Sequence, residues 1–488
     1  MISQLPILIL ICPFIAALLI GVIGSFKKSL CYPLAVLSIL CSIYFSLLGV
    51  KETFLNGSRS YNLGGWGQSI GIAFYLNTYN AILLSIISFV LLATVLYSRK
   101  FIYLRFPDKF YAFYSLLLLF LTGILGIVIT GDAFNLYVFL EIVSLSSYAM
   151  IALGRKESYV ASFRYLIIGT IGASFYLLGV GILYLKTGNL NMQELHHYVL
   201  PLYKTTSIKA SFLFIVIGLS IKIAFFPFHS WLPFAYSKTI SPVSTLMAPI
   251  VTKVSLFACI KVIVLVFGVD YLFSLEGFKY LMPNIAAIGM IYFSIKAFTQ
   301  KNIRASFCYV LLMECSLMFG ALWFQDVLGI KAVLYHILID ILMMLTLFLS
   351  AGVLEYYYKI YNHSDLLDTN ILAKEKILLF SFIITALSVL GIPPTGGFFS
   401  KFYFILVAFK ANSYFYVISL IVSSFILLAF FLKFFEKIYF NYKKVPNAKN
   451  SKFPIITNAV LLVSSLLIIY FGAKVHLFID VIINSFLG

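Results

Sequence analysis

The 488-residue chain is 62% hydrophobic and only 11% charged, with a mean hydropathy of +1.04, against roughly 45–50% apolar and about 25% charged residues in water-soluble domains. No water-soluble fold could hide so much apolar surface. The net charge of +18 comes from 35 Lys and Arg scattered through loops and not gathered in one aromatic-laced patch, which argues against a nucleic-acid surface. Apolar runs of roughly 20 residues, separated by short polar breaks, set the class as all-α integral membrane: one polytopic domain over 1–488 with about fourteen transmembrane helices.

The first predicted span, 5–23, lacks the basic start and small-residue cleavage site of a removable signal and is read as retained. Spans at 31–49, 78–97 and 110–129 follow; the last is apolar all round, which a membrane barrel strand, alternating over about ten residues, would not be. The fifth, 133–153, carries Glu141 about eight residues into it. After 160–185 comes the seventh, 209–228, with Lys222, closing on FFPFHSWLP, where Pro227 and Pro233 flank His229. The eighth, 241–267, holds Lys253; 281–299 is followed by 304–324 with Glu314 and by 330–355 with His336 and Asp340. The twelfth, 376–409, is interrupted by GIPPTGG, placing Pro393, Pro394, Gly396 and Gly397 just before Lys401. Spans 413–434 and 454–484 complete the chain.

Loops after odd-numbered spans hold Lys27, Lys28, Arg99, Lys100, Arg105, Lys109, Arg155, Lys156, Lys301, Lys443, Lys444, Lys449 and Lys452, while even-numbered loops hold chiefly Lys51, Arg59, Lys204, Lys209 and Lys279. The positive-inside rule puts the odd loops in the cytoplasm and both termini outside. Cys12, Cys31, Cys41, Cys259, Cys308 and Cys315 lie in or beside apolar helices without CxxC spacing, a pattern of core packing. The sequence shows no redox centre, Walker loop or Gly-rich dinucleotide fingerprint, so no metal, cofactor or catalytic residue is expected.

A charge at mid-bilayer costs about 2.5–3.5 kcal/mol on insertion scales, so each buried one needs a reason. Glu141 is too short to reach water from its depth and must face a polar cavity or a partner, a structural ion pair being the plainer alternative. Lys222, Lys253 and Lys401 are long enough that snorkelling is the alternative for each. Broken helices beside buried charges mark transport sites, because irregular backbone survives in a membrane only when it is buried in protein or lines water. An ammonium beside a carboxylate in a low dielectric keeps its proton, and one parted from its partner tends to release it. His229 and His336 are further relay candidates, with hydrogen-bonded structural roles as the alternative.

At these residues the sequence resembles the antiporter-like subunits shared by Mrp-type multisubunit Na+/H+ antiporters and proton-pumping complex I. GDAFNLYVFLEI resembles the family's fifth helix with its essential glutamate at Glu141, and IKIAFFPFHSWLP its seventh with the lysine at Lys222. KVSLFACIK resembles the eighth around Lys253, and GIPPTGGFFSKFYF the broken twelfth, whose charge falls at Lys401. The segment GGWGQSIGI at 64–72, the wording GDxFNLxVFxE and a lysine at 401 are closer to the D-type branch of the Mrp antiporters than to the complex I branch. The resemblance implies two inverted five-helix repeats, about 110–267 and 281–434, and a proton path from Glu141 and Lys222 through Lys253 toward Lys401.

Several positions depart from the family. Phe234 and Tyr236 stand where an acidic residue and a histidine are usual, Val310 and Leu311 replace a serine pair, and the eleventh helix offers His336, Asp340 and Met344 in place of a histidine followed by a lysine. His336 and Asp340, four apart, share a helix face and can bond one another. Glu314 adds a carboxylate where a neutral amide is usual, and an ion pair between Lys253 and either Glu314 or Asp340 is a plain account of both acids.

The expected function is therefore a proton-translocating subunit of a Na+ or K+/H+ antiporter complex. The alternatives are a proton-pumping subunit of an NADH:quinone oxidoreductase, in which case the chain is part of a translocase, and a non-transporting structural or assembly paralogue. The partners implied are other antiporter or complex I membrane subunits, protons and Na+ or K+, and the lipid bilayer, with no nucleic acid. A bacterial inner membrane is expected over an organellar one.

Overall fold

The structure, a computed structural model, describes residues 4–67, 71–154, 156–368, 375–439, 455–482 and 485. Arg155, Lys443, Lys444, Lys449 and Lys452, and positions 68–70 of the GGWGQSIGI segment, lie outside the described residues. The early helices are α1 (Leu5–Ile23), α2 (Cys31–Asn56), α3 (Thr78–Arg105), α4 (Phe110–Ile129), α5 (Ala133–Ile151) and α6 (Lys156–Thr187). A short amphipathic α7 (Met192–Val199) precedes α8 (Thr206–Ile223), α9 (Trp231–Lys238) and α10 (Ser241–Val262), which runs through a π-helical turn at Ile263–Phe267 into α11 (Gly268–Ser274). Then come α12 (Glu276–Thr299), α13 (Ile303–Ala321), α14 (Val327–Tyr358), α15 (Lys376–Leu390), α16 (Gly396–Lys410), α17 (Tyr414–Tyr439), α18 (Ile455–Ala473) and α19 (Val475–Ile482).

Thirteen helical stretches among the described residues are long and apolar enough to cross a membrane. The expected twelfth span is divided: α15 and α16 have 15 residues each, or about 22 Å, short of the roughly 30 Å of hydrocarbon that a span must cover. Together they supply the fourteenth crossing. The chain is an all-α multi-pass membrane protein.

Depth in the bundle follows the distribution of apolar residues. The most apolar window of α14 is wholly buried and that of α2 only 33% buried; α10 and α13 join α14 at the centre, with α1, α2, α6 and α12 at the rim. Large apolar side chains such as Leu18, Phe54, Phe163 and Phe425 are left exposed, a surface suited to lipid. Val310, Leu311 and Met344, which stand where polar family positions were noted, are fully buried core residues.

One element was invisible as structure in the sequence. Arg59–Asn62 and Ala73–Leu76 form a two-stranded antiparallel hairpin with Arg59 opposite Leu76. It packs on the turn into α5, where the Gly131 N–H donates to Ala73 O at 2.8 Å. A Cβ on Gly131 would lie 2.1 Å from the Tyr75 ring, so the glycine of GDAFNL is required by close approach. Asp132 caps α5, accepting from Asn135 N at 2.6 Å, and so fixes where the helix carrying Glu141 begins.

The two breaks are built alike. α8 ends on Ala224 (φ 61°) and α15 on Gly391 (φ 76°), both left-handed, and a proline follows three residues later in each case, Pro227 and Pro394. Carbonyls orphaned by such an ending need donors. The Trp231 indole donates to Ile221 O at 3.2 Å in the first break, and the Lys401 ammonium donates to Val389 O in the second. Pro233 lies within α9 and is buried, whereas Pro227, Pro393 and Pro394 are exposed on this chain.

Candidate functional site

The buried charges singled out from the sequence fall into three ion pairs that join six helices. On α5 and α8, Lys222 Nζ lies 3.6 Å from Glu141 Oε1 and donates to Ser144 Oγ at 2.6 Å. Ser144, one turn beyond Glu141, accepts from the lysine and donates its own hydrogen to Leu140 O at 2.7 Å. Lys222 is 4% exposed and sits in the last turn of α8, where the helix dipole favours a cation. The Glu141 side chain is 22% exposed, so the carboxylate links the buried lysine to the flank of the chain.

On α10 and α14, Lys253 Nζ lies 3.0 Å from Asp340 Oδ2, both side chains having no exposure at all. The lysine also donates to Ala248 O at 3.3 Å. On α13, α14 and α16, Glu314 bridges two partners: Lys401 Nζ at 2.9 Å from Oε1 and His336 Nε2 at 3.1 Å from Oε2. The other ring nitrogen of His336 lies 2.6 Å from Ser400 Oγ. Snorkelling is thus not what the three lysines do; each ammonium is held inside the bundle against a carboxylate. Truncating one member of such a pair strands a buried charge, at about 3–5 kcal/mol.

The sequence expectation of a hydrogen bond between His336 and Asp340 is corrected. His336 engages Glu314 and Ser400, and Asp340 turns to Lys253. The two residues still share one face of α14, so that face carries the acid of one pair and the imidazole of the next. His229 does not join the file. It is half-buried, its Nδ1 has no hydrogen-bond partner among the described residues, and its ring packs on Phe226, Tyr292 and Phe293.

Between Lys222 and Lys253 no direct side-chain bond is found among the described residues. Tyr236 on α9 is fully buried, its ring 6.1 Å from that of Trp231 and its hydroxyl without a hydrogen-bond partner among the described residues. The hydroxyl is within electrostatic reach of Tyr165 on one side and of Cys308 and Cys315 on the other, and Cys315 is in turn within reach of Lys253 and Asp340. A buried hydroxyl with no protein partner calls for a water. The sequence reading noted Tyr236 only as a departure, and it missed Ser144 and Ser400, whose small polar side chains carry no depth signal of their own.

A further buried cation escaped the sequence reading. Lys261, two turns beyond Lys253 on α10, is 2% exposed and donates to Val128 O at 2.9 Å and Ile127 O at 3.3 Å. It caps the carbonyl end of α4 and has no carboxylate partner among the described residues. At one end of the bundle, a cavity of about 730 Å3 is lined by charges of both signs, including Glu157, Lys238, Arg304 and Glu355. Arg304 there pairs with Glu355 and donates to Thr239 O at 2.8 Å, tying α9, α13 and α14 together.

A bundle of apolar helices threaded by buried, mutually compensating ion pairs, with two helices broken beside the lysines, defines a polytopic membrane protein of the ion-path class. Its sequence places it within that class. The profile of the family described as NADH:quinone oxidoreductase/Mrp antiporter, transmembrane, matches residues 130–427, and the chain belongs to this family. It is 35% identical over 450 residues to the N subunit of the NADH-quinone oxidoreductase of Desulforudis audaxviator, covering 92% of this chain and 89% of that one. It is 28% identical over 430 residues to the D-type subunit of the Na(+)/H(+) antiporter of Bacillus subtilis, covering 87% and 85%. Among solved structures, a chain of the membrane-bound sulfane sulfur reductase, an archaeal respiratory membrane complex, superimposes with a TM-score of 0.89 at 25% identity, covering 99% of this chain and 96% of that one.

Proposed function

We propose that the chain is the proton-translocating membrane subunit of a monovalent cation (Na+ or K+)/H+ antiporter complex, with Glu141, Lys222, Lys253 and Lys401 as its relay. The observation that carries this reading is the row of three lysines, each buried and each held against a carboxylate. A proton reaching Glu141 neutralises it and frees Lys222 to pass its own proton inward. A water at Tyr236 bridges the interval to Lys253 and Asp340; the shared α14 face leads through His336 to Glu314 and Lys401. Asp340 and Glu314 are relay members here, and the charge they add is matched one for one by Lys253 and Lys401.

The like construction of the breaks after α8 and α15 supports two inverted repeats of five spans, about 110–267 and 281–434. The exposed, non-helical segment at Pro393 and Pro394 supports a neighbouring membrane subunit as partner, since irregular backbone at membrane depth is not left against lipid. The basic odd-numbered loops support termini on the outer side of a bacterial inner membrane.

Everted vesicles carrying the whole complex should acidify under an energy source and lose that gradient when Na+ or K+ is added. Glu141→Ala is expected to abolish the cation-dependent signal; an unchanged signal overturns the assignment. The higher identity to an oxidoreductase N subunit favours a second reading, a proton-pumping subunit of an NADH:quinone oxidoreductase, which copurification of flavin and Fe–S subunits would select. A non-transporting assembly role would leave transport intact when Glu141 and Lys222 are replaced together.

A further inference from the structure

Away from the ion file, a cavity of about 630 Å3 opens where the end of α12 meets the last turns of α17 and the loop after α14. Lys301, Lys433 and Lys437 line it together with His363, Gln300 and Phe298, and none of its described lining residues is acidic. Two of the three cations are held in place by side-chain contacts. Lys433 Nζ sits 4.7 Å over the Phe298 ring, and Lys437 Nζ donates to His363 O at 3.2 Å. The loop carrying His363 is fixed in turn: its backbone N–H donates to Lys301 O at 2.9 Å, and His363 Nε2 lies 2.9 Å from Ser306 Oγ.

The nearest acid in that loop, Asp365, is committed elsewhere, accepting from the backbone N–H groups of Tyr361 and Asn362 at 3.0 and 2.8 Å. Glu436, next to Lys437 on α17 and within its electrostatic reach, and the carbonyl end of α12, at about half a negative charge, together stay below the three lysine charges. Burial, then Lys437 and Lys433, push the His363 imidazole down to about 4, as expected for a pocket that holds surplus positive charge.

We propose that this pocket binds the phosphodiester headgroup of an acidic phospholipid. The size is that of a small-molecule pocket, the chemistry is that of a phosphate site made by point charges, and its position at helix ends is where headgroups lie. The wall is aromatic: Phe298 is 36% exposed, and Phe430 and Phe434 pack on the His363 ring at 5.7 and 5.8 Å. An apolar wall opening beside cations suits a headgroup that continues into acyl chain, and a free inorganic anion has no use for it.

The test uses the assembled complex, delipidated in detergent and titrated with dioleoyl phosphatidylglycerol, dioleoyl phosphatidylcholine or inorganic phosphate, with bound lipid counted by native mass spectrometry. The wild type should hold one more phosphatidylglycerol than K301Q/K433Q/K437Q, whose affinity at this site falls on the order of 100-fold. The arginine triple variant, which keeps the charge, should retain that lipid. Equal phosphatidylglycerol counts in wild type and the glutamine variant, equal binding of phosphatidylcholine, or displacement by millimolar phosphate alone would each overturn the proposal.

Discussion

Lys253 and Asp340 are both sealed from solvent, so they offer a direct way to separate a pair's structural contribution from its proposed transport role. Asp340→Asn strands the ammonium and is expected to destabilise the complex by about 3–5 kcal/mol, read as a lower melting temperature. Lys253→Met with Asp340→Leu removes both charges at similar volume and should recover most of that stability while abolishing transport. Recovery of both stability and transport would mean the pair is only a structural link. Residue by residue, the lysines and Glu141 were legible because a charge in an apolar run is conspicuous. Their partners were less so: the sequence offered Glu314 and Asp340 as equal candidates for Lys253, and only the packing of α10 against α14 decides for Asp340. Ser144 and Lys261 were not singled out, and Tyr236 was noted only as a departure, since a hydroxyl or a second lysine near a helix end looks the same whether it faces the interior or not.

At the scale of elements, the break after α15 is held by one residue. Gly391 has φ +76°, and a Cβ there would meet Lys401 Cδ at 3.1 Å. Gly391→Ala therefore combines a left-handed penalty of roughly 1–2 kcal/mol with displacement of the Lys401 stem. Lower melting temperature and slower transport are expected together. Gly391→Asn, which tolerates the left-handed region, should keep more of the stability and show how much of the defect comes from the backbone alone. The sequence showed both breaks through their prolines, yet it ended the seventh span at 228 and drew the twelfth, 376–409, as one interrupted span. The capping geometry at Ala224 and Gly391 depends on a donor arriving from Trp231 or Lys401, which local pattern does not reveal. The hairpin of 59–62 and 73–76 was missed for a related reason: four-residue strands carry too little alternation to register, and their stability comes from the turn at Gly131 against which they pack.

For the molecule as a whole, the fold class and number of crossings followed from hydropathy, because a bilayer forces helices of known length. What hydropathy could not say is which flank is left for a neighbour. Ile392, Pro393 and Pro394 are exposed on this chain beside a helix pair too short to span separately. A photoreactive phenylalanine analogue at Ile392 in the assembled complex is expected to yield an adduct with a second membrane subunit; an adduct with phospholipid alone would remove this flank from the proposed interface.

The three ion pairs also act mechanically. Each ties together helices that are not consecutive in the chain, α5 to α8, α10 to α14, and α13 to α16, the last also engaging His336 on the next helix, α14, so each is a cross-brace of the bundle as well as a place for a proton. A proton passing along the proposed file would loosen one brace at a time and leave the others taut. Stiffness and throughput are then set by the same contacts, and substitutions that tighten a pair should harden the bundle and slow the flow through it.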